Sequence, residues 1–295
     1  DDDLVMGSYG NAVVHRGDPA ADWDYGTNPS EQFRLIDEQQ DRIVDQDTDG
    51  ELVAMATVAD YGVRGGGLTL TDMSDRGVTH RDLVEAQSTA SVAFGDDGLL
   101  YAGTSIQGGL SSENSPLDAH LLVVDPQTGD VLDSVVPVEG NPVVAGIAVL
   151  GETVWAITNS GDLVEYDTVT REVVEVHDLG TEHSSSPWGL ASTIQENPVD
   201  GLLYGISGTE VFVFDPESGE MEILLDDTEY KRLDIADDGT VYVIDETNLF
   251  SFDVDGVDED PRAQLEALSA ATAEYIESGE ISGRSAHHLP NALAQ

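Results

Sequence analysis

Short apolar segments recur along the chain from Leu4 to Phe252, and within them hydrophobic and polar side chains alternate. Each segment is rich in Val, Leu, Tyr and Phe and is bounded by Gly, Asp or Pro. An alternation with a period of two is the pattern of half-buried β strands. No apolar run reaches the roughly 18 residues that a bilayer-spanning helix requires. The pattern therefore predicts an all-β body without membrane insertion.

One phrase, a turn followed by a strand, repeats at intervals of about 40 to 50 residues. The copies are Leu4-VMGSY, Gly50-ELVAMA, Gly98-LLYAGT, Gly151-ETVWAIT, Gly201-LLYGIS and Gly239-TVYVID. From the second unit onwards, another strand ending in Asp follows each copy. Units of this length with four short strands are typical of β-propeller blades, whereas a sandwich would not repeat one phrase six times. The sequence therefore predicts an all-β propeller over residues 1–254, with about six visible four-stranded blades.

The first and last units each lack one strand. In the first unit the outer three strands are predicted at Leu4–Tyr9, Ala12–Arg16 and Gln32–Ile36. In the last unit the inner three strands are predicted at Leu233–Ala236, Thr240–Ile244 and Leu249–Phe252. Three outer and three inner strands do not make one closed blade. We therefore expect the ring to be incomplete at its N-terminus, with further strands preceding Asp1 in a longer protein.

The composition changes after the last unit. Residues 255–260 form an acidic linker, and a helix is predicted to begin with Asp260 as N-cap and Pro261 at the first helical position. The predicted helical segment covers residues 261–295. Its apolar positions include Leu265, Leu268, Tyr275 and Ile276, at helical spacing. The chain is therefore divided into a propeller, a linker and a partial helical module.

This helical tail resembles the FIMAH domain, a helical module found at the C-termini of secreted bacterial and archaeal proteins. The matching residues are Leu265 and Leu268, the string Tyr275-IESGEIS, Leu289, and Ala292-Leu293. They cover about the first half of that module. The propeller also looks like those of such secreted proteins, notably at Gly103-TSIQGGL. The resemblance implies a secreted protein associated with polysaccharide degradation, in some cases by lyases, and it transfers no catalytic motif.

The net charge of the chain limits the classes of partner that it can bind. The chain has 11 Lys and Arg against 59 Asp and Glu, a formal net charge of −48. The negative electrostatic field of such a chain repels phosphate backbones and anionic membranes, so nucleic acid is excluded as a partner. An acidic surface with a single lysine, Lys231, is typical of halophilic proteins. At 1 M salt the Debye length falls to about 3 Å, so the repulsion among the carboxylates is screened. We expect an extracellular or cell-surface protein.

The loops that join strands two and three of each predicted blade, and those that join consecutive blades, open on one face of a propeller, here called the upper face. Two of these loops are long, and long loops commonly carry function. Four cations map to this face, which favours an anionic ligand. The predicted ligand-binding residues are Arg42, Gln107, His120, Trp188, Lys231 and Arg232. Two alternatives stay open: each cation pairs with a neighbouring carboxylate, and Trp188 packs within its blade instead of stacking on a sugar ring.

A lyase acting on an acidic polysaccharide needs a cation on the uronate carboxylate, a base for the adjacent proton and an acid for the leaving oxygen. Arg64, His183 and Tyr61 are the candidates for these three roles, in that order. Whether the chain is an enzyme stays open. A non-catalytic propeller that binds a protein at the cell surface is the alternative. A third hypothesis, a hydrolase with an axial metal, depends on Asn11, Asn159 and Asp245.

The segment Asp45-QDTDG resembles the start of a calcium-binding loop. Position twelve of such a loop is a bidentate Glu, and here it is Ala56, so the EF-hand pattern fails. We place the segment in the turn between the first two strands of its blade. Weak calcium binding by Asp45, Asp47 and Asp49 remains a hypothesis, and the sequence requires no other metal or cofactor.

Overall fold

A computed structural model describes residues 3–181, 184, 186–190, 192–226, 228–245 and 247–252. These residues form six antiparallel sheets arranged as the blades of a β-propeller. The one helical element among them is a single 3-10 turn, Ile36–Glu38. The all-β propeller that the repeat predicts is therefore confirmed. The proposed linker and helical module, residues 255–295, lie outside the described residues.

The strands are numbered in chain order. Blade 1 contains β1 (Leu4–Ser8), β2 (Val13–Gly17) and β3 (Ser30–Arg34). Blade 2 contains β4 (Gln40–Thr48), β5 (Val53–Ala59), β6 (Gly67–Thr71) and β7 (Val78–Arg81). Blade 3 contains β8 (Ser88–Phe94), β9 (Leu100–Ser105), β10 (Leu121–Val124) and β11 (Val131–Val135).

Blade 4 contains β12 (Val144–Leu150), β13 (Thr153–Thr158), β14 (Asp162–Asp167) and β15 (Glu172–Asp178). Blade 5 contains β16 (Thr193–Glu196), β17 (Leu203–Ser207), β18 (Glu210–Phe214) and β19 (Met221–Leu225). Blade 6 contains β20 (Arg232–Ile235), β21 (Val241–Ile244) and β22 (Leu249–Phe252). Within the described ranges, blades 1 and 6 have three strands each, as the sequence pattern predicts.

The apolar core lies between consecutive blades. Leu68 of blade 2 packs in one cluster with Leu100 and Leu122 of blade 3. A further cluster joins Trp155 of blade 4 to Phe212 of blade 5. Because side chains on a strand point alternately to the two faces, each blade contributes one set of apolar residues to each neighbour. This packing stacks the blades around an axis, and a cavity of about 700 Å³ runs along it between β4, β8, β12, β16 and β20.

An identical five-residue string, Asp-Gly-Leu-Leu-Tyr, opens the second strand of blades 3 and 5 and folds the same way twice. In blade 3, Asp97 Oδ1 accepts the Leu99 N–H, and the Tyr101 hydroxyl donates to Asp97 Oδ2 at 2.8 Å. In blade 5, Asp200 makes the same two bonds with Leu202 and Tyr204. Burial, together with these bonds, raises the pKa of both tyrosines. The string is therefore a structural unit of the blade.

Candidate binding site

Two neighbouring loops join into one layer on the upper face. The loop after β5 and the loop after β9 exchange backbone hydrogen bonds: Gly62 N–H donates to Leu110 O at 2.8 Å, and Gly109 N–H donates to Val63 O at 2.9 Å. Gly109 is required for this approach because a Cβ at that position would collide with the carbonyl oxygen of Asp60. The long loops identified in the sequence are therefore packed together.

The segment between blades 4 and 5 crosses over this layer. The Ser105 hydroxyl donates to Pro187 O, a short contact that ties the segment to the end of β9. Trp188 Nε1 donates to Gly108 O at 3.1 Å, and the Trp188 side chain is 5% exposed. Trp188 is therefore a buried residue that anchors the crossing segment, which agrees with the alternative that it packs within the protein; ligand binding by Trp188 stays a prediction.

Arg42 lies between two aromatic rings. Its Cζ is 4.5 Å from the centroid of the Tyr9 ring and 4.6 Å from that of Trp188. Its Nη2 donates to Asp41 Oδ2 at 2.8 Å. A guanidinium at these distances is attracted by the negative face of each ring, and the attraction increases when water is excluded. Together with Tyr61, these three side chains (Tyr9, Arg42, Trp188) are called the aromatic cluster below.

The outer part of the aromatic cluster is a pair of exposed tyrosines. The hydroxyls of Tyr9 and Tyr61 lie 3.0 Å apart, and the two residues are 64% and 53% exposed. The hydrogen bond to Tyr61 raises the pKa of Tyr9, so the Tyr9 phenol stays protonated at neutral pH. The cluster therefore presents two flat, amphipathic rings to solvent above a half-buried cation.

The remaining predicted ligand residues are placed as follows. Gln107 lies beside Gly108, and its amide donates to Gly109 O at 3.3 Å. Arg64 is exposed in the same loop as Tyr61. His120 is directed towards the outer strand β11, where its Nδ1 lies 2.8 Å from the Ser134 hydroxyl. Burial lowers the pKa of His120. Gln107 and Arg64 therefore border the aromatic cluster, whereas the His120 ring is held by its own blade.

Four cations are predicted on the upper face (Arg42, Arg64, Lys231 and Arg232), and three of them have partners within the protein. Arg42 pairs with Asp41, and Lys231 Nζ lies 2.6 Å from Glu229 Oε1. Arg232 donates to Leu190 O on the crossing segment. Within the described ranges no side-chain hydrogen bond or ion pair is recorded for Arg64. The alternative that each cation pairs with a neighbouring carboxylate therefore describes Arg42 and Lys231, whereas Arg232 binds a backbone carbonyl.

The axial cavity contains the acidic segment that resembles a calcium loop. The prediction that this segment is a turn is wrong for Asp45 and Asp47, because β4 extends to Thr48. Asp45 accepts the Val92 N–H at 2.9 Å and Asp47 accepts the Phe94 N–H at 2.7 Å, both across the junction with blade 3. Asp49 caps the turn after β4. Calcium binding by the three aspartates stays a prediction.

Asp45 and Arg232 face the same cavity from blades 2 and 6. Burial raises the pKa of Asp45 to about 7, although the bonds from Val92 and Gln46 and the charge of Arg232 oppose the change. Desolvation in the cavity also lowers the pKa of Arg232, although part of that residue is exposed, against the opposing effect of Asp45. Desolvation therefore outweighs the attraction between the two groups. Asn11, Asn159 and Asp245 are not among the described residues that line this cavity.

His183, the candidate base, lies outside the described residues, as do Glu182 and Ser185 beside it. Sequence reasoning missed Tyr9 and Asp41, which complete the surroundings of Arg42. Tyr9 follows β1, which corresponds to the second strand of a four-stranded blade, just as Tyr61 follows β5 in the next blade. An alignment of the repeats by strand position would have found it.

No family model matches the chain, and no curated protein matches it in sequence. Among solved structures 1209 chains match it. One, from a crystal structure of the mitotic checkpoint complex, superposes with a TM-score of 0.63 at 12% identity and covers 86% of this chain and 71% of its own. An identity this low shows the fold alone, so the match supports the propeller. The described part of the chain contains no helix with the length and hydropathy of a membrane span.

Proposed function

We propose that this chain is a non-catalytic propeller scaffold that binds a protein partner on its upper face. The observation that carries the proposal is the exposed pair Tyr9 and Tyr61 above half-buried Arg42, which stacks on buried Trp188. Tyr, Trp and Arg are the residues most enriched among those that dominate protein–protein binding energy, and such residues cluster around well-packed centres.

The packing of Arg42 and Trp188 beneath Tyr9 and Tyr61 favours binding of a protein partner at this surface. The stacked guanidinium and the indole hydrogen bond to Gly108 O tie the crossing segment to β4 and to the loop after β9. A surface ordered before binding loses less conformational entropy on association. The structural neighbour from a checkpoint complex is a propeller found within a protein assembly, which agrees with a scaffold role.

A photo-crosslinking amino acid at position 61 tests this proposal in extracts of the cells that make the protein. We expect one discrete protein adduct that disappears when Tyr9→Ala is introduced. The same amino acid at Tyr25, an exposed residue between β2 and β3, is the matched control and should give no such adduct. An adduct that forms equally from both positions, or none from position 61, would overturn the proposal.

A second candidate function is binding or cleavage of an acidic polysaccharide. The observation that favours it is Arg64, which is exposed in the same loop as Tyr61 and whose side chain makes no hydrogen bond or ion pair with another described residue. In the lyase version, Arg64 holds the uronate carboxylate, His183 takes the adjacent proton and Tyr61 protonates the leaving oxygen. Ultraviolet absorbance of the unsaturated product tests it, with Arg64→Gln and Tyr61→Phe compared with the parent protein. The pairing of Arg42, Lys231 and Arg232 within the fold favours the protein partner.

We also propose that the protein works in concentrated salt, outside the cell or at its surface. The support is compositional: 59 acidic residues against 11 Lys and Arg, and a tail whose residues from Leu265 to Leu293 resemble a FIMAH module of secreted proteins. Cell fractionation with an antibody against the propeller tests the location. Recovery from the cytoplasmic fraction alone would contradict it.

A further inference from the structure

Two glutamates and a histidine meet on the outer half of blade 4, far along the sheet from the inner strand β12. Glu165 on β14 and Glu175 on β15 are direct cross-strand partners, and His177 lies two residues further along β15 on the same face. One ligand atom from each side chain lies within 4.8 Å of the others. We propose that these three residues bind a divalent transition-metal ion of the zinc class at the junction of blades 4 and 5.

The negative charges of Glu165 and Glu175 need a compensating positive charge. Like charges directly opposite each other on neighbouring strands destabilise a sheet. Neither Glu165 nor Glu175 has a recorded hydrogen bond or ion pair among the residues that the structure describes. The nearby cation on the preceding turn, Arg171, is directed elsewhere and donates to Leu132 O at 3.3 Å. A bound divalent ion would neutralise the two carboxylates where no recorded side chain does.

His177 provides an independent observation. Its ring packs against Phe214, edge on at 5.1 Å between centroids, and against Trp155 at 5.8 Å. These contacts orient the imidazole at the edge of the apolar core between blades 4 and 5. Its Nε2 is buried and has no hydrogen-bond partner in the described ranges. An imidazole with an unsatisfied nitrogen, held next to two carboxylates, is a donor set for a metal ion.

The donor chemistry selects the class of metal. Calcium and magnesium prefer oxygen ligands alone, whereas zinc binds imidazole nitrogen and carboxylate oxygen and accepts three protein ligands plus water. Glu175 is exposed, so an ion can reach the site from solvent. The ion would join β14 to β15 at the bulge that follows Glu165. The role of the site is therefore to fix the outer edge of blade 4, independently of the aromatic cluster.

Zinc titration of the full chain by calorimetry tests the site, in molar KCl with excess Mg²⁺ to occupy unspecific carboxylates. We expect one saturable zinc ion per chain. Glu175→Gln should weaken it at least about tenfold, because one of three ligands is lost. Glu172→Gln, an exposed residue on the same strand, removes the same charge and should leave the affinity within about twofold. Co²⁺ should also quench the fluorescence of Trp155, and this quenching should be lost in Glu175→Gln.

His177→Gln is the second variant, and it should abolish zinc binding and cobalt quenching. If that variant does not fold, because of the contacts to Trp155 and Phe214, Glu165→Gln replaces it as a test of the same donor set. Absence of saturable zinc binding to the parent protein would overturn the proposal. Equal weakening by Glu172→Gln and Glu175→Gln would also overturn it, since the ion would then respond to overall charge.

Discussion

The guanidinium of Arg42 stacks on the indole of Trp188, with 4.6 Å between Cζ and the ring centroid. Arg42 belongs to the inner strand of blade 2, and Trp188 to the segment between blades 4 and 5. The contact therefore joins parts of the ring that are distant in sequence. Because Tyr9 covers the opposite side of the guanidinium, the stack also links blade 1 to this segment. The cluster supports both the fold and the proposed binding surface.

Trp188→Ala should lower the free energy of unfolding by about 3 to 5 kcal/mol, because it leaves a cavity and removes the bond to Gly108 O. Trp188→Phe keeps much of the volume and should cost less. A double-mutant cycle with Arg42→Met isolates the stacking energy, which we expect at about 1 kcal/mol. Denaturant unfolding measures five proteins: the parent, Trp188→Ala, Trp188→Phe, Arg42→Met and the double variant Trp188→Ala/Arg42→Met. Strict additivity would show that the stack contributes no coupling energy.

The two Asp-Gly-Leu-Leu-Tyr units allow a paired prediction. Tyr101→Phe and Tyr204→Phe each delete one hydroxyl bond to an aspartate, at the same 2.8 Å, from a buried ring. Each change should destabilise the protein by about 1 to 2 kcal/mol, measured by chemical denaturation. Tyr242→Phe, on the exposed side of β21, is the control and should change stability by less than about 0.5 kcal/mol. Costs that differ widely between the two units would contradict their equivalence.

The sequence predicts the strands well because alternation and turn residues are local signals. The Asp97 and Asp200 turns are identical strings that fold identically. The aromatic cluster is harder to predict, since Tyr9 and Trp188 each reach Arg42 from a segment outside its blade. The sequence predicts a turn at Asp45, which lies on β4, because a charged residue on an inner strand has the same local pattern as an acidic turn. The group of Glu165, Glu175 and His177 becomes visible only when the strand register is known.

Salt should stabilise this protein strongly at neutral pH. At a net charge of −48, repulsion among carboxylates opposes the folded state, and the Debye length falls from about 10 Å at 0.1 M to about 3 Å at 1 M. We expect the melting temperature to rise by at least about 10 °C between these two KCl concentrations, as calorimetry would show. Near pH 4 the dependence should shrink, because many surface carboxylates are protonated. A melting temperature that does not change with KCl concentration at neutral pH would contradict the prediction that salt stabilises the folded protein.

Asp45 should make stability fall as the pH rises towards neutrality. Burial raises its pKa to about 7, whereas an aspartate in an unfolded chain titrates near 4. Between these values the folded state holds a proton that the unfolded state has released, so the unfolding free energy decreases through this window. Above pH 7 Asp45 is ionised in both states, and the loss of unfolding free energy that its desolvation causes is complete. Its upper limit is about 4 kcal/mol, at about 1.36 kcal/mol for each unit by which the pKa is raised.

Asp45→Asn tests this directly, because the amide oxygen can still accept the Val92 N–H while the buried charge is absent. The variant should be more stable than the parent protein at about pH 8, and the difference should vanish near pH 4. Asp96→Asn, an exposed turn residue, controls for the change in net charge. Urea unfolding at a series of pH values gives the comparison. A variant that is less stable at pH 8 would show that attraction to Arg232 outweighs the desolvation of the carboxylate.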